Sequence, residues 1–212
     1  METNLLLVRH GQSEANTKKY FAGHLDAPLT ETGRKQAEKM AAYVRTYPVS
    51  AIYASDLSRA FDTALPIGTS LSLPVVPDVR LREICAGEWQ GKSFDYLYQN
   101  KAYNIWLTGD SGVYPTGGES IPDLFVRADA FLADILEKHP GETVAVVTHA
   151  TPIRVLKAKW QNIPISEIKT VSSPPNASVT LVRCRKDGTG EILLEGENSF
   201  LGALAHAQTT KM

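Results

Sequence analysis

Cysteine is scarce in this chain. Two residues in 212, Cys85 and Cys184, make no disulfide scaffold and show no metal-type spacing, so a reducing, cytoplasmic setting is expected. Neither sign of charge dominates. Lys and Arg number 22 against 23 Asp and Glu, for a formal net charge of −1, which leaves no footprint for nucleic acid or an anionic membrane. No apolar run approaches the ~20 residues of a membrane span. Glu2 precedes the first apolar run with no basic stretch beside it, so that run does not read as a signal peptide. The glycosylation pattern Asn176-Ala177-Ser178 is discounted for want of a secretory signal. There is no internal repeat. His-Glu-x-x-His and compact carboxylate clusters are missing, so neither a metal nor a cofactor is expected. Gly91 and Gly190 stand six residues beyond the cysteines, where a cysteine phosphatase needs arginine. A Gly-rich Walker loop is also missing, which argues against a kinase-type site.

What is present is the makeup of a packed molecule. Hydrophobic residues are 43% of the chain, near the globular norm, and the length suits one large domain. Residues 5–8, Leu-Leu-Leu-Val, are long enough for a buried strand and too short for a helix. They end on Arg9-His10-Gly11. Residues 11–28 read as a loop broken by Gly23, Asp26 and Pro28. Thr30 is the expected cap of a helix to about Tyr47, with Ala37, Met40, Ala41 and Val44 on one face. A short strand is expected over 51–54. Asp56 and Ser58 are expected to cap the following helix, which Pro66 should kink or end.

Val75-Val76, between prolines, makes a short strand at most, and residues 81–91 are irregular. The clearest helix runs over 119–139, with Ile121, Leu124, Ala128, Phe131, Leu132 and Ile135 on one stripe. A strand over 143–147 runs into Thr148-His149. Thr151 and Pro152 are expected to open a helix to about Trp160. Residues 178–182 and 192–194 read as late strands, partly antiparallel, with a turn at Asp187-Gly188. The last dozen residues read as a weakly ordered tail. Alternating strands and helices point to an α/β fold with a mostly parallel sheet covered on both faces.

Two strands share a design: 5–8 ends in Arg9-His10 and 144–147 ends in Thr148-His149. As parallel neighbours they would deliver both histidines to one sheet edge, where open α/β sheets bind ligands. A third strand-to-helix turn, Ser55-Asp56-Leu57-Ser58-Arg59, brings Arg59 to the same edge. Two imidazoles and two guanidiniums near one point suit an oxyanion such as phosphate. His24, His139 and His206 have no such context and read as solvated. Arg34, Arg82 and Arg154 are as well suited to surface ion pairs as to the pocket rim.

These blocks resemble the histidine phosphatase superfamily, in its phosphoglycerate mutase-like branch. The resemblance runs through Leu7-Val8-Arg9-His10-Gly11-Gln12-Ser13 with Asn16, then Gly23, Asp26, Pro28-Leu29-Thr30 and Gly33. It continues through Ser55-Asp56-Leu57-Ser58-Arg59-Ala60 with Thr63, and Leu81-Arg82-Glu83 with Gly87-Glu88-Trp89-Gln90-Gly91. Gly117-Gly118-Glu119-Ser120, Thr148-His149 and Ile153-Arg154 complete it, in family order. Ala150 departs from the glycine usual after the second histidine.

The resemblance implies a three-layer α/β/α sandwich, phosphoglycerate mutase-like, as one domain over 1–212 with a lid or insertion at about 84–142. It implies a phosphatase of small phosphomonoesters, with His10 as nucleophile and a phosphohistidine intermediate. Arg9, Asn16, Arg59 and His149 would bind the phosphoryl group, and Glu83, ahead of Glu88, would act as acid and base. Gly23, Trp89 and Tyr96 are expected on the substrate side. Trp89, Phe94, Tyr96, Tyr98, Tyr103, Trp106 and Tyr114 would either wall the substrate or pack the lid onto the core. The alternatives are a cofactor-dependent mutase and a catalytically inactive phospho-ligand-binding domain. The few cations in the lid, Lys92 and Lys101, favour a phosphatase over a mutase. Expected partners are a small phosphomonoester, no nucleic acid and no membrane, with the chain a monomer or homodimer.

Overall fold

A computed structural model describes residues 1–109 and 112–206. In chain order, strand β1 (Thr3–Arg9) leads to helices α1 (Glu14–Lys18) and α2 (Glu31–Val44). Strand β2 (Val49–Ala54) leads to α3 (Ser58–Leu71), then β3 (Val75–Pro77). Short helices α4 (Phe94–Leu97) and α5 (Lys101–Trp106) precede the long α6 (Ile121–Lys138). Strand β4 (Thr143–Thr148), helix α7 (Ala150–Trp160) and strands β5 (Val179–Cys184) and β6 (Gly190–Glu197) complete the set.

The strands form one sheet in the order β3-β2-β4-β1-β5-β6. The first four are parallel and the last two pair antiparallel. The parallel strands need crossovers, which the helices supply, so both faces are covered. The alternation of β1 shows how. Leu5 and Leu7 pack into one core with Leu124, Phe131 and Leu132 of α6 and Ile153 of α7. Leu6 and Val8 pack into the other with Met40 of α2 and Ala60 and Ile67 of α3. A period of two puts successive residues on opposite faces, and a strand apolar at every position must be covered on both. The result is the expected α/β/α sandwich.

Several local expectations are corrected. The stretch 11–28 contains a helix, α1, stabilised by an Asn16–Ser13 capping interaction and a Glu14–Lys18 pair one turn apart. Helix α3 continues through Pro66 to Leu71, so the proline does not end it. Proline withholds an amide from the carbonyl of Asp62, but Ala60, Thr63 and Ala64 before it and Ile67 and Gly68 after it are all buried, so packing holds the helix. Neither Asp56 nor Ser58 caps α3: Leu57 occupies the cap position, and Asp56 is engaged by Arg82 at 2.5 Å. Helix α7 begins at Ala150 with His149 at its cap position, so Thr151 and Pro152 lie inside its first turn. Ala150 lies outside the left-handed region, so no strain follows from its side chain.

Part of the expected tail is structural. Residues Ser199–His206 form tight turns that carry Leu201 into the core, stack Phe200 on Tyr43 and bond the Leu204 carbonyl to Gln36. Residues 207–212 lie outside the described residues. Helix α6, inside the stretch expected to form a lid, belongs to the layer covering the sheet. Among the described residues, no helix is long and apolar enough to cross a membrane.

Candidate active site

The C-terminal end of β1 is strapped on every side. The His10 amide continues the ladder to Thr148, and its carbonyl accepts from the Ala177 amide at 3.0 Å. The Gly11 amide donates to Thr63 Oγ1 at 3.1 Å, and the Gln12 amide donates to Gln36 Oε1 at 2.7 Å. Gly11 is required by close approach: a Cβ there would lie 2.6 Å from the carbonyl oxygen of Gly33. The strand end is therefore a fixed platform for the two residues that precede Gly11.

His10 is buried, and its Nδ1 lies 2.7 Å from the Gly11 carbonyl. A carbonyl only accepts, so Nδ1 carries the proton and Nε2 presents its lone pair. Burial, then the charges of Arg59 and Arg9, hold the imidazole well below its ordinary range. Arg9 is itself buried, with one guanidinium nitrogen donating to the Pro174 carbonyl at 2.6 Å. Burial pushes it down to about 10 against the pull of Glu83. It still carries full charge at neutral pH.

Arg59 is the second residue of α3 and points back over the strand ends. It donates to the carbonyls of Gly23 at 2.8 Å and Leu25 at 3.1 Å. Gly23 sits at φ 54°, the left-handed region that favours glycine. His149 follows β4, and its ring meets that of His10 edge-on with centroids 5.1 Å apart. Its Nε2 contacts Ser55 Oγ at 2.8 Å. Ser55 Oγ also accepts from the Leu57 amide, so its own proton is available to Nε2, which fits a proton on Nδ1 of His149. Burial, with Arg59 and His10, holds this second imidazole well below its ordinary range too.

Arg9, His10, Arg59 and Glu83 meet on one small cavity of about 40 Å3. Glu83 arrives on the irregular stretch after β3, with Oε1 accepting from the Ile84 amide at 2.9 Å. Ser13, Asn16 and Gly23 complete the polar side, and Tyr20, Phe21 and Phe94 the apolar side. Asn16 Oδ1 accepts from the Ser13 amide and from Asn176 Nδ2 at 3.1 Å. His149 is completely buried and lies behind His10 rather than on the cavity wall. A larger groove between α2 and α3, about 690 Å3, is lined by residues such as Arg34, Ala41 and Leu65. Its lining has hydroxyls and carboxylates but no imidazole, so the paired histidines and arginines single out the smaller cavity.

Sequence reasoning thus names Arg9, His10, Asn16, Gly23, Arg59 and Glu83, which the structure brings onto one cavity, and it also expects His149 there, which the structure sets behind His10. It errs on Trp89 and Tyr96. Trp89 is buried against Tyr103 and Trp106, with centroids 5.4 and 5.6 Å away. Tyr96 faces outward on α4, whose Phe94 and Leu97 point in. The lid aromatics mostly pack with one another and with Phe21. Only Phe94 of that set reaches the cavity among the described residues, and Tyr114 is exposed.

Arg34, Arg82 and Arg154 are engaged elsewhere, by the Leu29 carbonyl, Asp56, and the carbonyls of Ile168 and Val171. His24 and His139 are not solvated: His24 Nε2 lies 2.8 Å from the Glu83 carbonyl, and His139 bonds Glu142 and Tyr53. The side chain of His206 lies outside the described part of the chain. Glu88 is exposed and off the cavity. Sequence reasoning missed Asn176, whose side chain is buried and donates to the His10 carbonyl at 3.2 Å as well as to Asn16. Its local signal in the sequence was slight, an asparagine just beyond Pro174-Pro175.

Comparison with known proteins shows the family. The model of the histidine phosphatase superfamily (branch 1) matches residues 5–195. Phosphoserine phosphatase 1 of Hydrogenobacter thermophilus is 31% identical over 180 residues, 84% of this chain and 85% of that protein. Glucosyl-3-phosphoglycerate phosphatase of Mycobacterium tuberculosis is 32% identical over 186 residues, 83% of each. The solved structure of YhfR from Bacillus stearothermophilus superposes with a TM-score of 0.86 at 32% identity, covering 94% of this chain and 99% of that one.

Proposed function

Because the chain belongs to the histidine phosphatase superfamily and is a phosphatase of that type, we propose that it hydrolyses small phosphomonoesters through a phosphohistidine on His10. The observation that carries this reading is the 2.7 Å contact of His10 Nδ1 with the Gly11 carbonyl, between two buried arginines, which calls for the proton on Nδ1. It leaves Nε2 neutral and nucleophilic beside the cations a phosphoryl group needs.

In the first step Nε2 of His10 bonds to phosphorus and the ester P–O bond breaks. The departing alkoxide takes the proton of the Glu83 carboxyl. In the second step Glu83 takes a proton from water, whose oxygen bonds to phosphorus as the P–N bond breaks, releasing phosphate and neutral His10. Splitting the reaction in two lowers each barrier. Arg9 and Arg59 offer fixed positive charge to the equatorial oxygens, where charge accumulates. Asn16 would hold a further oxygen beside them. Their carbonyl tethers keep both guanidiniums aimed before substrate arrives, so little reorganisation is left to the reaction.

The test is hydrolysis of 4-nitrophenyl phosphate and of an alkyl phosphate. His10→Ala is expected to abolish both. Glu83→Gln should cost about 100-fold on the alkyl ester, whose leaving group needs a proton, and far less on the nitrophenyl ester. Equal losses on the two esters would remove Glu83 from the acid role, and activity in His10→Ala would remove His10 as nucleophile.

A further inference from the structure

We propose that Arg127 and His24 are positioning residues that aim the Glu83 carboxyl by gripping the backbone from which it projects. The inference rests on the acid–base reading of Glu83 above. Neither side chain lines the cavity, so both act through another residue.

Arg127 comes from the middle of α6. Its guanidinium donates to the carbonyls of Arg80 and Arg82, both at 2.7 Å, and of Glu83 at 2.8 Å. This stretch turns tightly at Val79–Leu81 and then leaves regular structure, so the carbonyls of Arg80, Arg82 and Glu83 have no ladder to satisfy them. One planar fork collects all three, as a lysine ammonium with its single point of charge would not. The fork is itself aimed: Glu119 holds it by two parallel contacts, Nε to Oε1 at 2.7 Å and a terminal nitrogen to Oε2 at 2.9 Å. Glu119 Oε2 also accepts from the Cys85 amide at 2.7 Å. The chain is thus gripped on its carbonyls before Glu83 and on its amide after it.

His24 reaches the Glu83 carbonyl from the other side, Nε2 at 2.8 Å. The carbonyl accepts, so Nε2 carries the proton. His24 follows Gly23, whose carbonyl holds Arg59, and its own amide donates to Gln90 Oε1 at 2.6 Å. The imidazole therefore joins the segment that anchors a phosphate-side cation to the segment that carries the acid. A displacement of about 1 Å between the two would cost on the order of 100-fold in rate.

The experiment compares 4-nitrophenyl phosphate with glycerol 2-phosphate for wild type, Arg127→Met, His24→Leu, His24→Gln and Glu83→Gln. Arg127→Met and His24→Leu are expected to lower kcat/KM on glycerol 2-phosphate by about tenfold or more, a share of what a general acid contributes, while the nitrophenyl ester changes by less than about threefold. His24→Gln keeps an N–H donor and should recover the alkyl rate to within about threefold of wild type. Equal losses on both esters, or His24→Gln as impaired as His24→Leu, would overturn the inference. If Arg127→Met fails to fold by circular dichroism, the two His24 variants decide alone. A Glu83→Gln enzyme with no leaving-group preference would overturn the acid–base reading and this inference together. A selective Glu83→Gln beside unselective Arg127 and His24 variants would overturn this inference only.

Discussion

His10 and His149 are held uncharged by burial and by Arg59, so each takes up a proton when the chain unfolds in mild acid. Their native affinity for protons lies well below the unfolded value near 6.5. Below that pH the unfolded chain binds more protons than the folded one, and stability falls as pH falls. Each group adds a slope of about 1.4 kcal/mol per pH unit below its unfolded pKa, until its native pKa is reached. Urea midpoints measured between about pH 5 and 7 should show this decline, and His149→Asn should flatten it. An unchanged slope in that variant would mean that His149 titrates normally in the fold. The same shift keeps His10 nucleophilic in mild acid, where an ordinary histidine would already be charged.

At the scale of elements, β1 carries both the fold and the site. Leu6 is fully buried between β4 and β5 on the face covered by α2 and α3. Leu6→Ala is expected to cost about 2–5 kcal/mol, seen as a lower urea midpoint, with kcat per folded molecule little changed. A loss below ~1 kcal/mol would mean that the neighbouring side chains collapse into the space. The strands and long helices were legible because their periodicity is strong: Leu5 to Val8 has no polar face, and α6 has a clean stripe. Helix α1 was not, because Ser13 and Asn16 are as much at home in a turn as in a cap. Pro66 does not end α3, for a related reason. Its local cost is real, but buried neighbours on both sides outweigh it. The aromatics of α4 and α5 divided between core and surface by helix face, which four- and six-residue helices do not reveal in sequence.

At the scale of the molecule, the sheet order explains why residues from 9 to 149 share one point. Placing β4 between β1 and β2 puts the turns after all three strands side by side, which lines up His10, His149 and Arg59. That juxtaposition could be argued from strand ends alone. The grip on Glu83 could not, because Arg127, Glu119 and His24 meet only through loops and a distant helix. Asn176 likewise joins the site from the loop that leads into β5, the antiparallel neighbour of β1.

The central claim is that His10 carries the phosphoryl group. Rapid quenching at neutral pH during turnover, in the presence of chelator, followed by peptide mass spectrometry under alkaline conditions, tests it most directly. The account predicts an acid-labile phosphate on the peptide containing His10, formed without added metal and lost in His10→Ala. A phosphate on another residue, or undiminished hydrolysis by His10→Ala, would contradict it.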